Sequence, residues 1–381
     1  MRVLHVITGL AAGGAEQQLR QLLPRLPADC AVVTLTNPGI VAEAIARDGI
    51  RVIDLGMRGN RDLTALPRLV RLIRDGRYDV VHTHLYRAAV YGRIAARLAG
   101  VRAVVSTEHS LGDDRIEGRR RSASVRALYL ATERLGTVTI AVSRTVERRL
   151  VDWGVPPERI VLIPNGIVAE EFRYDGRLRD RTRAAWGVGA DTVVVGAVGR
   201  LEPGKRVDVL IRALARIPRT VLVIAGDGSA RSTLTRLAHA AGVADRVVFT
   251  GETAEVRPLL CGMDVVASAS PEETFGLAIL EALACGLPAV QVTCPALDEL
   301  LPEAAPRVVR VPCEVETFAE HLAAAVPAAT RREPPPAVQH YAIDRLAIDV
   351  ATLYERARDR LASPPGPGNR HQAHPLEDRV L

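Results

Sequence analysis

Lysine is almost missing from this chain: of 50 basic residues 49 are arginine, and Lys205 stands alone. Aromatic residues are scarce too, at 3% of 381 residues, which removes the stacking platforms that single-stranded nucleic acid needs. No nucleic-acid partner is expected. No charge-free apolar run approaches the roughly 18 residues of a membrane span, and the opening MRVLHVITGL leads into a glycine loop rather than a secretory apolar region. A cytoplasmic chain, neither secreted nor membrane-spanning, is the expectation. The cysteines, Cys30, Cys261, Cys285, Cys294 and Cys313, are odd in number and lack CxxC spacing, so they are expected to be reduced core residues, with no metal site.

What is present is apolar mass and uneven charge. With 48% hydrophobic residues the chain can bury two cores. Residues 1–170 carry 25 arginines against 17 acids, and the remainder 25 basic residues against 27 acids, so the first half is the one expected to face something anionic. Short β-rich runs alternate with helical patterns at Val3–Ile7, Ala31–Leu35, Val52–Leu55, Val80–His82, Ala103–Ser106 and Val138–Val142, and a second alternating block begins at Val193. That is the pattern of parallel sheets covered by helices, in which ligands sit at the carboxyl ends of the strands.

The most informative stretch is Ser268–Pro288, SASPEETFGLAILEALACGLP. A helix opening near Gly276 would turn the amides of Thr274, Phe275, Gly276 and Leu277 toward one point, with the positive end of the helix dipole behind them, which suits a phosphate. Glu281 would stand roughly 7 to 8 Å further along the axis, the only polar residue of an otherwise apolar segment. It must be paired, protonated or bound, and a vicinal diol is one suitable partner; an arginine is another.

Glu273, Phe275, Gly276 and Glu281 resemble the signature of retaining glycosyltransferases of family 4, enzymes of the GT-B fold with two facing Rossmann-like domains and a deep cleft between them. The resemblance implies that Glu273 lies against a donor sugar and that Glu281 grips the ribose of a nucleotide sugar. It also implies domains at 1–167, binding the acceptor, and 168–340, binding the donor, and a helix at 341–361 crossing back to the first domain; the Pro-, Gly- and His-containing composition of 362–381 makes a disordered tail the expectation there. The segment RIVLIPNGIV, Arg159 to Val168, is similar to the interdomain crossover.

Other motifs fall in order. Gly13 and Gly14 precede a helix whose first turn holds Glu16; a plain tight turn would explain them, and the resemblance adds a place beside the donor diphosphate. His82 and His84 form a His-x-His pair without a third ligand nearby in the sequence, so a structural or acceptor-side role is preferred to metal. Glu108-His109 ends a strand, and the resemblance sets His109 beside the donor sugar. Arg119, Arg120, Arg121 and Arg126 lead into a helix with an apolar stripe, which keeps peripheral contact with an anionic inner membrane face as a further expectation. Arg200 and Lys205 match the family's arginine and lysine on the leaving diphosphate, where a compact ammonium suits a cramped pocket. Gly226, in AGDGS, would line the nucleotide pocket. Pro295-Ala296 replaces the family's usual Gly-Gly in a loop that borders sugar or acceptor.

The expected activity is metal-independent transfer of a hexose-type unit from a nucleotide diphosphate sugar, a uridine one for preference, to a hydroxyl acceptor on a small molecule, glycan or lipid carrier, with retention and without cofactor. The catalytic set is His109, Arg200, Lys205 and Glu273; the donor-binding set is Gly13, Gly14, Gly226, Phe275, Gly276, Leu277 and Glu281. The alternatives are a nucleotide-sugar epimerase on the same scaffold and a non-catalytic nucleotide-sugar-binding protein.

Overall fold

The computed structural model describes every residue except 60, 61, 63, 114, 118, 190, 326–331 and 363–381. His371, His374 and nearly all of the expected tail lie outside the described residues.

Two parallel sheets organise the chain. The first has seven strands in the order Arg51–Asp54, Asp29–Thr34, Arg2–Ile7, Val80–His84, Ala103–Glu108, Val138–Ala141 and Ile160–Leu162. The second has six, in the order Val247–Gly251, Thr220–Ala225, Val193–Val198, Val265–Ser268, Ala289–Gln291 and Val308–Arg310. The central strands are short β-branched runs, and Val3, Val32, Val80, Val105, Val194 and Val265 are all buried, as parallel strands covered on both faces must be. The seventh strand corrects the sequence reading of Arg159–Val168 as crossover alone. Ile160, Val161 and Leu162 pair with Thr139, Ile140 and Ala141, and the crossover begins only after them. Three apolar residues are too few to announce a strand without the sheet edge that receives them.

The helix Ile343–Ala362 returns to the first sheet, where Leu346, Val350, Leu353, Tyr354 and Ala357 pack with Val3, Val80, Ala103 and Val138. Their spacing of three and four residues is one face of a helix. The two chain passages between the domains touch: Ile167 N–H donates to Tyr341 O (2.7 Å), and Ile343 N–H donates to Ile167 O (3.0 Å). Among the described residues no helix is long and apolar enough to cross a membrane.

In each sheet the strand order reverses once. The reversal lies between Arg2–Ile7 and Val80–His84 in the first, and between Val193–Val198 and Val265–Ser268 in the second. Loops leaving strands at such a reversal diverge and leave a crevice. The four loops here carry Gly13-Gly14, Leu85, Arg200–Lys205 and Glu273–Gly276, and the two crevices face each other.

Candidate active site

The helix Leu277–Ala284 opens where the spacing predicts, with Gly276 at its start at φ 100°. A side chain there would be strained by the left-handed backbone and would run into Cys294 Sγ. The first ladder bonds are donated by Ile279 and Leu280 to Gly276 O (3.1 and 3.3 Å), so the amides before them precede the helical ladder, at the positive end of the dipole. The turn is braced from behind. Ala296 N–H donates to Phe275 O (2.9 Å), the buried Phe275 ring meets Tyr341 edge-on, and the Tyr341 hydroxyl donates to Ala296 O (2.6 Å). Pro295 and Ala296 are therefore support for Phe275, buried behind it, rather than a border of the cleft; Thr293 is the residue of that loop that lines it.

The cleft has two lobes of about 410 and 480 Å³ that share Ala12, Gly13, Gly14, Val198, Gly199, Arg200, Leu277 and Ala278. His109, Lys205, Glu273, Phe275 and Gly276 line the first lobe. Gly226 and Glu281 line the second, with the segment Glu252–Pro258 opposite. All of the residues singled out in the catalytic and donor-binding sets thus reach one cavity system. Gly226, at φ 143°, lies so close to Gly199 that a Cβ would strike the Gly199 carbonyl, so only glycine lets these two loops lie side by side.

Charge is arranged differently in the two lobes. In the first, Lys205 Nζ donates to Glu273 Oε1 at 2.6 Å, with 32% and 17% of the side chains exposed. In the second, Glu281 has no ion pair among the described residues, and burial pushes its carboxyl up to about 7. No arginine among the described residues partners Glu281 in the way that a purely structural role would require. Glu16, in the first turn of the helix Gly14–Leu22, is also pushed up to about 7 by burial, against the opposing pull of Arg200. The first-domain wall of the first lobe presents Thr8, Thr36, Asn37, Ser110 and two carboxylates, Glu16 and Glu117.

The two domains meet on the segment before the donor-side helix. Thr274 Oγ1 donates to His109 O (2.8 Å), Ser143 Oγ donates to Thr274 O (2.6 Å), and Arg149 donates to Glu273 O (3.2 Å). Arg149 also pairs with Asp113 at 2.8 Å, and Asp113 N–H donates to Glu272. Sequence reasoning missed Ser143 and Arg149. Ser143 carries a local signal as the cap of the helix Arg144–Asp152, accepting from Val146 N–H, but nothing in the sequence points it across the cleft. Two of the arginines expected on a membrane-facing rim are committed elsewhere: Arg121 stacks on Trp153 and donates to Gly112 O, and Arg126 donates to Trp153 O (2.8 Å).

The His-x-His pair also gains a companion that the sequence reading lacked. His5 lies beside His82 in strand register, and ring nitrogens of His5, His82 and His84 fall within 4.8 Å of one another.

Comparison with known proteins agrees with this architecture. Residues 12–171 match the family described as Glycosyltransferase Family 4, and residues 179–333 match Glycosyl transferases group 1. The EpsF protein of Bacillus subtilis, named as a glycosyltransferase, is 29% identical over 303 residues, 76% of this chain and 78% of that one. The UDP-Gal:alpha-D-GlcNAc-diphosphoundecaprenol alpha-1,3-galactosyltransferase of Escherichia coli is 30% identical over 238 residues, and the match spans 60% of this chain and 62% of that relative. Anabaena HepE in complex with UDP-glucose superimposes with a TM-score of 0.80 at 24% identity, covering 95% of this chain and 99% of that one. Both family models are those of transferases, so the epimerase alternative is not favoured. The chain belongs to the glycosyltransferases of family 4, on the GT-B fold.

Proposed function

We propose that this transferase moves a hexose-type unit from a uridine diphosphate sugar to a hydroxyl acceptor with retention of anomeric configuration, without a metal ion. The observation that carries the reading is Glu281, part-buried in one lobe and without an ion pair among the described residues, beside the Lys205–Glu273 pair in the other. A ribose diol donating two O–H groups is a fitting partner for a carboxylate that has no ion pair among the described residues, and the amides before Leu277 with Arg200 would receive the diphosphate. As the diphosphate enters, it competes with Glu273 for Lys205. Glu273 would then turn to the sugar, where a carboxylate stabilises the positive charge that develops at the anomeric carbon, while Arg200 and Lys205 hold the leaving phosphate. His109, at the end of its strand, would meet the sugar hydroxyls.

The acceptor would enter from the first-domain side. Glu16 and Glu117 on that wall suit a neutral hydroxyl-bearing unit better than a phosphate at the point of transfer. Support for the uridine nucleotide comes from HepE, solved with UDP and with UDP-glucose. Incubation with a panel of nucleotide sugars tests the reading. Nucleotide release that requires an acceptor supports it; isomerisation of the donor without an acceptor, or the absence of any turnover with every donor tried, overturns it.

A further inference from the structure

The buried face of the first sheet carries a row of imidazoles that ends at the cleft. Arg2–Ile7 and Val80–His84 run parallel with His5 opposite His82, and side chains alternate along a strand, so His5, His82 and His84 share one face beneath Tyr354. His5 Nδ1 lies 3.1 Å from His84 Nε2, and His84 Nδ1 lies 3.3 Å from His109 Nε2. The His84 ring is stacked on both neighbours, with centroids 5.4 and 5.6 Å apart. His82 stands outside this row. Its Nδ1 bonds the Tyr354 hydroxyl at 2.6 Å and its Nε2 the Thr107 hydroxyl at 2.7 Å, so an ion held by His5, His82 and His84 would have to displace one of those bonds.

Burial keeps the row neutral, with His5 lowered to about 3, His84 well below the ordinary histidine range and His109 lowered to about 4. A neutral imidazole has one N–H and one lone pair, so the row has only two hydrogen-bonding registers. In the inward register His109 donates to His84 and His84 to His5, which leaves a proton on His5 Nε2. That atom is buried and has no hydrogen-bond partner among the described residues. In the outward register His5 donates to His84 and His84 to His109, and a lone pair is left at the same place. A buried N–H without an acceptor is the rarer and costlier orphan.

We propose that the row holds His109 in the tautomer protonated on Nδ1, with its Nε2 accepting from His84, so that the ring offers an N–H to the first lobe. His84 is then a positioning residue for His109. The Nδ1 atom has no hydrogen bond among the described residues, and His109 lines the lobe in which Lys205 and Glu273 meet. Free histidine prefers the proton on Nε2, so the row acts against the intrinsic preference. Only the identity of the receiving group, a donor-sugar hydroxyl, rests on the function proposed above.

The tautomer of His109 can be read by long-range proton–nitrogen correlation NMR on the full chain labelled at histidine. The wild type is expected to carry the proton on Nδ1. His84→Phe removes the partner of Nε2 and should move the proton there, with a loss of about tenfold in kcat/KM for the forfeited sugar hydrogen bond. His5→Leu, an equal disturbance of the same core, should leave His109 unchanged, because a lone pair on His84 Nε2 facing leucine is still preferred to an orphan N–H. A wild-type His109 protonated on Nε2 overturns the proposal, as does an unshifted tautomer in a folded His84→Phe. The spectrum needs no donor or acceptor, so a failure of the transferase reading would not be mistaken for a failure of this one.

Discussion

Lys205 Nζ lies 2.6 Å from Glu273 Oε1, so the single lysine of the chain neutralises a carboxylate that stands just before the donor-side helix. The partnership ties together two residues 68 positions apart, one read from its scarcity and the other from its spacing.

Replacement of Lys205 by arginine should separate charge from shape. The guanidinium is a broad planar fork and cannot stand where the ammonium does without displacing Glu273 or the donor. A shift of about 1 Å at a reacting centre can cost on the order of 100-fold in rate. Lys205→Arg is expected to fold normally and to lose at least about tenfold in sugar transfer, with Lys205→Ala lower still. Wild-type turnover in the arginine variant would return Lys205 to coincidence.

Nucleotide choice should show in thermal stability. A ligand at 100 times its dissociation constant stabilises the native state by about 2.7 kcal/mol. UDP is expected to raise the melting temperature more than GDP or ADP at equal concentration. A larger shift with GDP would refute the uridine assignment and leave the fold untouched.

Glu281 gives the site a pH signature. Its carboxyl is pushed up to about 7 in the folded chain, against about 4.3 for a free glutamate, so folding disfavours the ionised form. The cost is absent below the unfolded value, grows as pH rises and is fully present above about 7. Glu281→Gln should therefore stabilise the unliganded protein at pH 8 but not at pH 4. On the proposed ribose role, UDP binding needs the ionised carboxylate to accept the diol, so wild-type affinity should fall as pH drops through 7. Calorimetry on the glutamine variant should find weaker binding without that dependence; a variant as tight and as pH-sensitive as wild type would exclude the ribose role.

Membrane contact, if it occurs, must use the arginines that the fold leaves available. Arg121 is excluded by its stacking on Trp153, whereas Arg120 is exposed. Each basic residue near an anionic surface contributes about 1 kcal/mol. The double change of Arg119 and Arg120 to serine should reduce co-sedimentation with anionic liposomes at low salt while leaving the melting temperature unchanged. Wild type that never co-sediments would point to an acceptor free in solution.

The sequence made some of this site legible because the information was local. Glu273, Gly276 and Glu281 sit on one turn and one helix, so chain spacing converts directly to geometry. Gly13 and Arg200 lie in loops just after strands and Gly14 opens the helix that follows the first of them, which topology alone brings to the cleft. What stayed hidden depends on register and on contact between domains. His5 is separated from His84 by 79 residues and becomes its neighbour only through strand pairing. Ser143 and Arg149 reach Thr274 and Glu273 over separations of 131 and 124 residues, and no spacing rule spans such a distance. Pro295-Ala296 looked like a substrate-facing change because the resemblance sets its loop beside sugar or acceptor, yet packing under Phe275 turned it inward.

The paired passages between the domains have a mechanical consequence. Ile167 is bonded to the chain at both Tyr341 and Ile343, and Gly166 lies so close that a Cβ there would stand 2.6 Å from Ile343 Cα. Two strands of backbone pinned side by side resist twisting and sliding, but they permit rotation about the line that joins them. Opening and closing should thus follow a single angular coordinate, like a book on its spine, with the two lobes widening together rather than one after the other. Pairs of spin labels across each lobe would then report distances that rise and fall in proportion; independent changes at the two lobes would show that the spine is not the axis.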